Sequence, residues 1–232
     1  MNILISDEAP LGFDLSITVP QGFSRDLLTV ELAAALKESL VPTDSLVQIW
    51  IEDTQIDDDN LLDSIGFSSY RDLWQMRCKF PPTGEDIPTR KFICGVDDEA
   101  FLEVNSRAFS WHPEQGSLDS SKLNDLIKEE WFDDEGFLFV EVKNRLAGVC
   151  WTKVHPQGDL TVGEIFVIAV DPDFHGRGFG KPLTISGLNY LANVGADLGM
   201  LYVEADNKPA IRIYEDIGFT HFSTNRAYRK SV

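Results

Sequence analysis

The feature that most constrains this chain is an apolar run followed by three closely spaced glycines and then by a helical pattern. The segment FVIAVDPDFHGRGFGKPL, residues 166–183, carries Gly176, Gly178 and Gly180 just before the helical residues. A strand that feeds a helix through such a turn is typical of an α/β architecture. Glycines let the backbone approach a ligand closely, and the N–H groups of a first helical turn attract phosphate oxygens.

The same glycines would also suit a flexible turn without a ligand, which is the commoner meaning of an isolated glycine pattern. Here Arg177 and Lys181 add positive charge at the turn, although the chain has 38 acidic against 20 basic side chains and a net charge of −18. This local charge favours an anion-binding loop. The acidic balance of the whole chain argues against a nucleic-acid binder, which needs a basic stripe.

The apolar periodicity of the C-terminal part predicts the order helix, helix, three strands, helix, strand, helix, strand. The predicted elements are a helix from Asp97 or Asp98, a helix from Asp119 that extends to Trp131, strands at 137–142, 146–154 and 163–170, a helix after the glycines, a strand at 200–205, a short helix from Lys208 to Ile217, and a last strand at 220–230. The predicted fold class is α/β, a mixed α+β sheet with helices on both faces.

A break in composition divides the chain. Residues 80–88, FPPTGEDIP, hold three prolines and a glycine. They predict a linker at 81–90 between a domain at 1–80 and a catalytic domain at 91–232. Residues 49–67 align without gaps on residues 201–219, an offset of 152 that ends in Ile-Gly-Phe in both copies. We therefore expect residues 1–80 to be a truncated, non-catalytic copy of the C-terminal fold.

Composition also limits the compartment and the partners. No apolar run reaches the ~18–20 residues of a membrane span, and the first residues lack the basic start of a secretory signal. Cys78, Cys94 and Cys150 stand far apart without metal-ligand spacing. We expect a cytoplasmic monomer that acts on a small molecule, without metal, membrane or nucleic acid.

The glycine turn resembles the pyrophosphate loop of the GNAT acetyltransferase superfamily, Gln/Arg-x-x-Gly-x-Gly/Ala, with His175 at the Gln/Arg position. The order of elements agrees with that family as well. The resemblance implies a GNAT fold in the C-terminal part and a degenerate GNAT-like N-terminal half, with acetyl-CoA as the co-substrate. The implied coenzyme contacts are Ile168, Ala169, Val170, His175, Gly176, Arg177, Gly178, Phe179, Gly180, Lys181, Asn207 and Arg212.

A closer resemblance covers nearly the whole C-terminal part and fades over residues 1–80. It is to the mycothiol synthase family, which are tandem GNAT proteins. The segments that carry it are HPEQG (112–116), EEWFDDEGF (129–137), CWTKVHP (150–156), GEIFVIAVDP (163–172) and LYVEADNKPAIRIYEDIGF (201–219). The resemblance implies transfer of the acetyl group of acetyl-CoA to the cysteinyl amine of cysteinyl-glucosaminyl-inositol, the last step of mycothiol biosynthesis.

Two residues are candidates for proton transfer. A phenol with a pKa of about 10 can protonate a leaving thiolate at neutral pH, and the resemblance places the general acid at Tyr214. Packing of this aromatic on the sheet is the alternative. The attacking amine must lose a proton, and the carboxylate of Glu164 could accept it or only bind the substrate.

The resemblance also places substrate contacts at Glu114, Lys153, Glu164 and Tyr202. His112 and His155 are each followed by proline and lack metal-ligand neighbours in the sequence, so we expect them to be structural. Two other functions stay open at this point. One is a GNAT enzyme for another primary amine, such as a peptide terminus or a polyamine. The other is a non-catalytic acyl-CoA-binding module.

Overall fold

The computed structural model describes residues 4–6, 13–38, 45–110 and 115–231. The strands are β1 (Leu4–Ser6), β2 (Leu15–Val19), β3 (Leu46–Ile51), β4 (Ser68–Cys78), β5 (Arg90–Lys91), β6 (Phe137–Val142), β7 (Arg145–Gln157), β8 (Leu160–Val170), β9 (Leu198–Glu204) and β10 (Thr220–Ser231). The helices are α1 (Arg25–Glu38), α2 (Ile56–Ser64), α3 (Asp98–Ala108), α4 (Ser120–Leu126), α5 (Gly180–Asn193) and α6 (Lys208–Ile217). Within the described residues, no helix is long and apolar enough to cross a membrane.

The chain forms two compact units. Unit 1 comprises Met1–Gln75, Val203–Asn207 and Phe222–Val232, and unit 2 comprises Met76–Tyr202 and Lys208–His221. This division differs from a single boundary at residues 81–90, because two C-terminal segments group with the N-terminal residues. Backbone pairing explains the second of them: β10 pairs antiparallel with β3, from Arg226 opposite Ile51 to Ser231 opposite Leu46.

In unit 1 the strand order is β1-β2-β3-β10-β4, and β2 runs parallel to β3. Alternate residues of β2 and β3 point to one face of the sheet, where they meet the apolar side of α1 and α2. The buried cluster there contains Leu15, Ile17, Val19, Leu28, Leu32, Val47, Ile49, Ile51 and Leu62. Burial of this face holds the two helices on the sheet.

In unit 2 the strand order is β4-β9-β8-β7-β6-β5. Trp151 of β7 is fully buried and stacks on Phe137 of β6, with ring centroids 4.3 Å apart. Phe101 of α3 meets both rings edge-on, at 4.9 Å and 5.9 Å. On the other face, a Cβ placed on Gly187 of α5 would lie 2.4 Å from the Sγ atom of Cys150, so this helix packs directly against β7.

The predicted order of elements in the C-terminal part is confirmed. The largest error in length concerns α4, which ends at Leu126 and does not reach Trp131. The strands predicted at 146–154 and 163–170 are also longer, since β7 runs on to Gln157 and β8 begins at Leu160. Glu129 and Glu130 follow this helix, and negative charge is unfavourable at the negative end of a helix dipole. Trp131 instead packs from a turn onto Phe166, with ring centroids 5.1 Å apart.

The segment predicted as a linker is bound along unit 2. The N–H of Ile87 donates to Ser186 Oγ at 3.2 Å, and that hydroxyl donates back to the carbonyl of Ile87 at 3.0 Å. Asn189 Nδ2 donates to Asp86 Oδ2 at 2.9 Å. These bonds fix the proline-rich segment on α5, so it is an ordered strap on that helix.

The internal repeat at an offset of 152 residues is also seen in where the elements begin. Three elements of the N-terminal part, β3, α2 and β4, begin 152 residues before β9, α6 and β10. Helix α1 starts earlier in the repeat than α5 does, and it covers the positions that correspond to the glycine loop. Asp26 and Leu28 stand there in place of Gly178 and Gly180, and Leu28 is 1% exposed. The degenerate copy at residues 1–80 stays a prediction, and the element bounds are compatible with it.

Candidate active site

The site is centred on the C-terminal half of β8. This strand pairs in parallel with β9 only from Val162 opposite Leu198 to Ile165 opposite Leu201. It then continues to Val170 and keeps its antiparallel pairing with β7. The last five residues of β8 therefore lie beyond its pairing with β9. Their backbone N–H and C=O groups that point away from β7 are not part of the β9 ladder. These residues include Ile168, Ala169 and Val170, the predicted contacts of an acyl chain.

A β-bulge shapes the same strand. The register of β7 with β8 shifts at Phe166, because Trp151 lies opposite Val167 whereas Thr152 lies opposite Ile165. The extra residue packs in the aromatic cluster, its ring 5.4 Å from that of Trp151. Bulges re-aim side chains and are frequent beside active sites.

The glycine loop has the backbone conformation that its sequence predicts. Gly176 and Gly178 have φ angles of +72° and +81°, and a Cβ on either would meet nothing within 4 Å. Glycine is thus required for the left-handed conformation and not for space within the chain. Phe179 is the N-cap of α5 and makes no side-chain cap hydrogen bond. No N-cap side chain therefore serves the N–H groups of the first turn of α5, and such groups attract anions.

The charged side chains at this loop are anchored nearby. The guanidinium carbon of Arg177 lies 5.1 Å from the centroid of the Phe174 ring. Lys181 Nζ donates to the carbonyl of Asp216, at 3.2 Å. His175 is exposed, and its Nε2 donates to the carbonyl of Val170 at 2.9 Å, so this imidazole ties the loop to the end of β8.

The other two predicted coenzyme contacts are Asn207, which directly precedes α6, and Arg212, which lies within it. Arg212 is exposed on α6 in unit 2. Asn207 belongs to unit 1, where its N–H donates to the carbonyl of Glu204 at 2.9 Å.

Tyr214 is buried on α6, with its ring 5.8 Å from that of Phe219. Burial raises the pKa of Tyr214 above its ordinary value, and the nearby Cys150 thiol raises it further. Cys150 is the cross-strand partner of Ile168, so the phenol lies close to the open part of β8. A phenol with a raised pKa stays protonated at neutral pH, as a proton donor must.

Glu164 and Lys153 are cross-strand partners on β8 and β7. The ammonium of Lys153 lies over two aromatic rings, 4.6 Å from the Trp131 centroid and 5.6 Å from that of Phe166. Among the described residues, the basic group within ion-pair distance of the carboxylate is His155, whose Nε2 is 3.3 Å from Glu164 Oε2. Sequence reasoning expected His155 to be structural, and only the register of β7 against β8 shows this contact.

Tyr202 directly follows the last β9 residue paired with β8, and it is 39% exposed. Burial lowers the pKa of Arg77 from its ordinary value, an effect that the neighbouring Tyr202 opposes. Arg77 Nη2 also donates to Gln157 Oε1 at 2.8 Å. Neither Arg77 nor Gln157 belongs to a recognisable motif, so no sequence pattern indicates this cluster.

One predicted site residue, Glu114, lies outside the described residues, as does His112. In the part of the chain that the structure describes, no group of three or more His, Cys, Asp or Glu residues is placed to hold a metal ion.

Comparisons with known proteins identify the family of this chain. Residues 99–219 match the sequence pattern of the Acetyltransferase (GNAT) family. The chain belongs to the GNAT acetyltransferase family. This GNAT chain is similar to the mycothiol acetyltransferase of Actinosynnema mirum, at 38% identity over 219 residues that cover 91% of this chain and 73% of that protein. The mycothiol acetyltransferase of Streptomyces coelicolor is 40% identical over 218 residues, which cover 90% and 67%. The resemblance to the mycothiol synthase family is confirmed.

Solved structures confirm the fold class of this GNAT protein. A GCN5-related N-acetyltransferase from Sphaerobacter thermophilus superposes with a TM-score of 0.70 at 23% identity, covering 94% of this chain and 72% of that one. A tandem GNAT protein from the clavulanic acid biosynthesis pathway gives a TM-score of 0.59 at 13% identity, covering 93% and 75%.

Gly178→Ala tests the loop of this acetyltransferase. The matched control is Gly195→Ala, because Gly195 follows α5 at its other end with a φ of +89° and similarly open surroundings. Each variant is expected to lose about 1–2 kcal/mol of unfolding free energy, from the left-handed backbone that alanine must adopt. Only Gly178→Ala should weaken binding of acetyl-CoA in a calorimetric titration. Equal affinities for the two variants would contradict an anion-binding loop.

Proposed function

We propose that this protein transfers the acetyl group of acetyl-CoA to the cysteinyl amine of cysteinyl-glucosaminyl-inositol. The observation that carries the proposal is its similarity to mycothiol acetyltransferases, at 38% identity over 219 residues in the case of Actinosynnema mirum. The proposal includes a cytoplasmic location, a monomeric state and no requirement for a metal.

The donor would bind along the end of β8 and at the start of α5. The backbone edge of Ile168, Ala169 and Val170 is suited to strand-like hydrogen bonds with an extended amide chain. An N–H on this edge could also stabilise the oxyanion that develops at the thioester carbonyl. The glycine loop and the uncapped first turn of α5 would hold the pyrophosphate, and Arg177 adds charge there.

Glu164 and Tyr214 would handle the protons. A carboxylate on the bulged strand can take a proton from the acceptor ammonium, directly or through water, and leave an amine that can attack the thioester. Tyr214 can supply a proton to the departing thiolate, because burial keeps the phenol protonated. The resemblance implies these roles, and the positions of the two side chains on β8 and α6 support them.

The acceptor would be bound by the polar groups around Glu164. Lys153, Tyr202, Arg77 and Gln157 supply donors and acceptors that suit the hydroxyl groups of a sugar and a cyclitol. A basic groove is not needed for such a substrate. Glu114 is the further predicted contact.

An acceptor panel tests the proposed reaction. Release of CoA from acetyl-CoA is expected to depend on cysteinyl-glucosaminyl-inositol, and the acetylated cysteinyl product should be visible by mass spectrometry. Spermine and peptides with free amino termini serve as the comparison amines. Turnover of these amines without turnover of the cysteinyl sugar would favour another GNAT acetyltransferase. Binding of acetyl-CoA without turnover of any amine would favour a non-catalytic module.

Tyr214→Phe is expected to lower kcat by ~10²–10⁴-fold, the usual loss of a positioned acid or base. The ring remains, so binding of acetyl-CoA should change little. Tyr228→Phe is the matched control, because Tyr228 is a buried tyrosine of unit 1 that bonds to Asp59 and Thr54. The control should lose stability and keep its kcat. An unchanged kcat in Tyr214→Phe, measured when chemistry limits the rate, would mean that water protonates the thiolate.

We propose a single coenzyme site per chain. In unit 1, Asp26 and Leu28 replace two loop glycines, and Leu62, which is fully buried, stands at the position that corresponds to Tyr214. An aspartate would repel a pyrophosphate, and the proton donor is absent. Calorimetric titration with acetyl-CoA should give a stoichiometry near one. A stoichiometry near two that persists in Gly178→Asp would contradict the proposal.

A further inference from the structure

We propose that His155 is a positioning residue for Glu164, which it holds in the orientation that takes a proton from the acceptor amine. The inference rests on the proposed function, since it assigns a partner to the base of that reaction. It changes the expected role of His155, which the sequence predicts to be structural.

The register of two strands brings the pair together. Lys153 lies opposite Glu164, and His155 lies opposite Val162. Alternate residues of a strand share a face, so His155 is the diagonal neighbour of Glu164. Its Nε2 is 3.3 Å from Glu164 Oε2, and the side chains are 29% and 13% exposed.

The direct neighbour, Lys153, does not take this place. Its ammonium lies over the rings of Trp131 and Phe166, a contact that attracts a cation to the faces of aromatic rings. Within the described residues, His155 is therefore the basic side chain within ion-pair distance of Glu164. The register of β7 and β8 places both Lys153 and His155 near Glu164, and the rings of Trp131 and Phe166 hold Lys153, so His155 is the group that faces the carboxylate.

The imidazole of His155 has a buried nitrogen that faces the carboxylate of Glu164. The Nε2 atom of His155 is buried and has no hydrogen-bond partner among the described residues, because its contact with Glu164 lacks hydrogen-bond alignment. A buried polar atom without a partner is costly, so a small rotation that aligns the pair is favoured. Catalytic hydrogen bonds are often long before the substrate binds and tighten afterwards.

Histidine suits this task better than lysine would. An imidazole N–H can hold one oxygen of a carboxylate and leave the other oxygen free for the amine, without placing a permanent charge beside the base. A permanent ammonium in contact would stabilise the ionised carboxylate and lower its affinity for a proton. A base that is oriented by a third group is the general arrangement of acid–base sites.

A double-mutant cycle tests whether His155 acts through Glu164. His155→Ala is expected to lower kcat by about 10- to 100-fold, the loss that a misplaced group causes. The KM for acetyl-CoA should stay nearly constant. His155→Gln should recover part of the rate, since its amide N–H can donate to the same carboxylate. In a Glu164→Gln background, His155→Ala should change kcat by no more than about twofold, because the two effects are not additive. His221→Ala, at an exposed histidine of β10, is the matched control.

Three results would overturn the inference: an unchanged kcat in His155→Ala, an unchanged kcat in Glu164→Gln, or the same fold loss from His155→Ala in both backgrounds. Thermal melting of every variant separates misfolding from a local effect.

A spectroscopic measurement decides the matter without turnover. The chain has four histidines, so a sample labelled with ¹⁵N in histidine gives few imidazole signals, which single substitutions assign. Glu164→Gln is expected to shift the Nε2 resonance of His155 and leave that of His221 in place. An unshifted His155 resonance would overturn the inference. If the wild type turns over no amine at all, the proposed function fails, and this measurement still decides on the contact.

Discussion

Four parallel pairs join β8 to β9, and β8 then continues for five residues against β7 alone. The chemistry of unit 2 depends on this early end of a ladder. Hydrogen-bonding groups on the edge of β8 that faces away from β7 are thus not used by the β9 ladder, and the proposed acyl chain would supply their partners. The glycine loop follows this stretch after one short turn at Pro172–Phe174. The open strand edge and the proposed proton donor, Tyr214, lie close together beside Cys150.

Close packing keeps that edge in place. Helix α5 lies against β7 because Gly187 leaves room for the Cys150 thiol, and α3 lies against the other face through the aromatic cluster around Trp151. The two helices therefore cover both faces of the sheet at this point. Glu164 and Phe166 are alternate residues of β8 and share the face of the aromatic rings, and the bulge at Phe166 places Val167 opposite Trp151. Rigid support of this kind is what a site needs to hold its groups in a productive geometry.

Much of this was predictable from the sequence, and the parts that were not have a common cause. The strand at 137–142, the helix from Lys208 to Ile217 and the glycine turn follow from local patterns of apolar residues, caps and glycines, and the structure has them at those places. His155 lies beyond the predicted end of the strand at 146–154, because β7 extends to Gln157. The register that brings it to Glu164 is set by the two-residue connection to β8 at 158–159, which was not among the predicted elements. The Arg77–Gln157 bond joins residues 80 positions apart, and it carries no motif.

The pairing of β10 with β3 has a consequence for the order of folding. In unit 1 the last strand of the chain lies between β3 and β4, although some 150 residues separate these N-terminal strands from it. During synthesis from the N-terminus, β3 and β4 therefore emerge before the strand that lies between them. Their sheet is completed only after β10 has been made, and such long-range pairing is slow to form. A fragment that stops at residue 80 would lack a central strand of its own sheet.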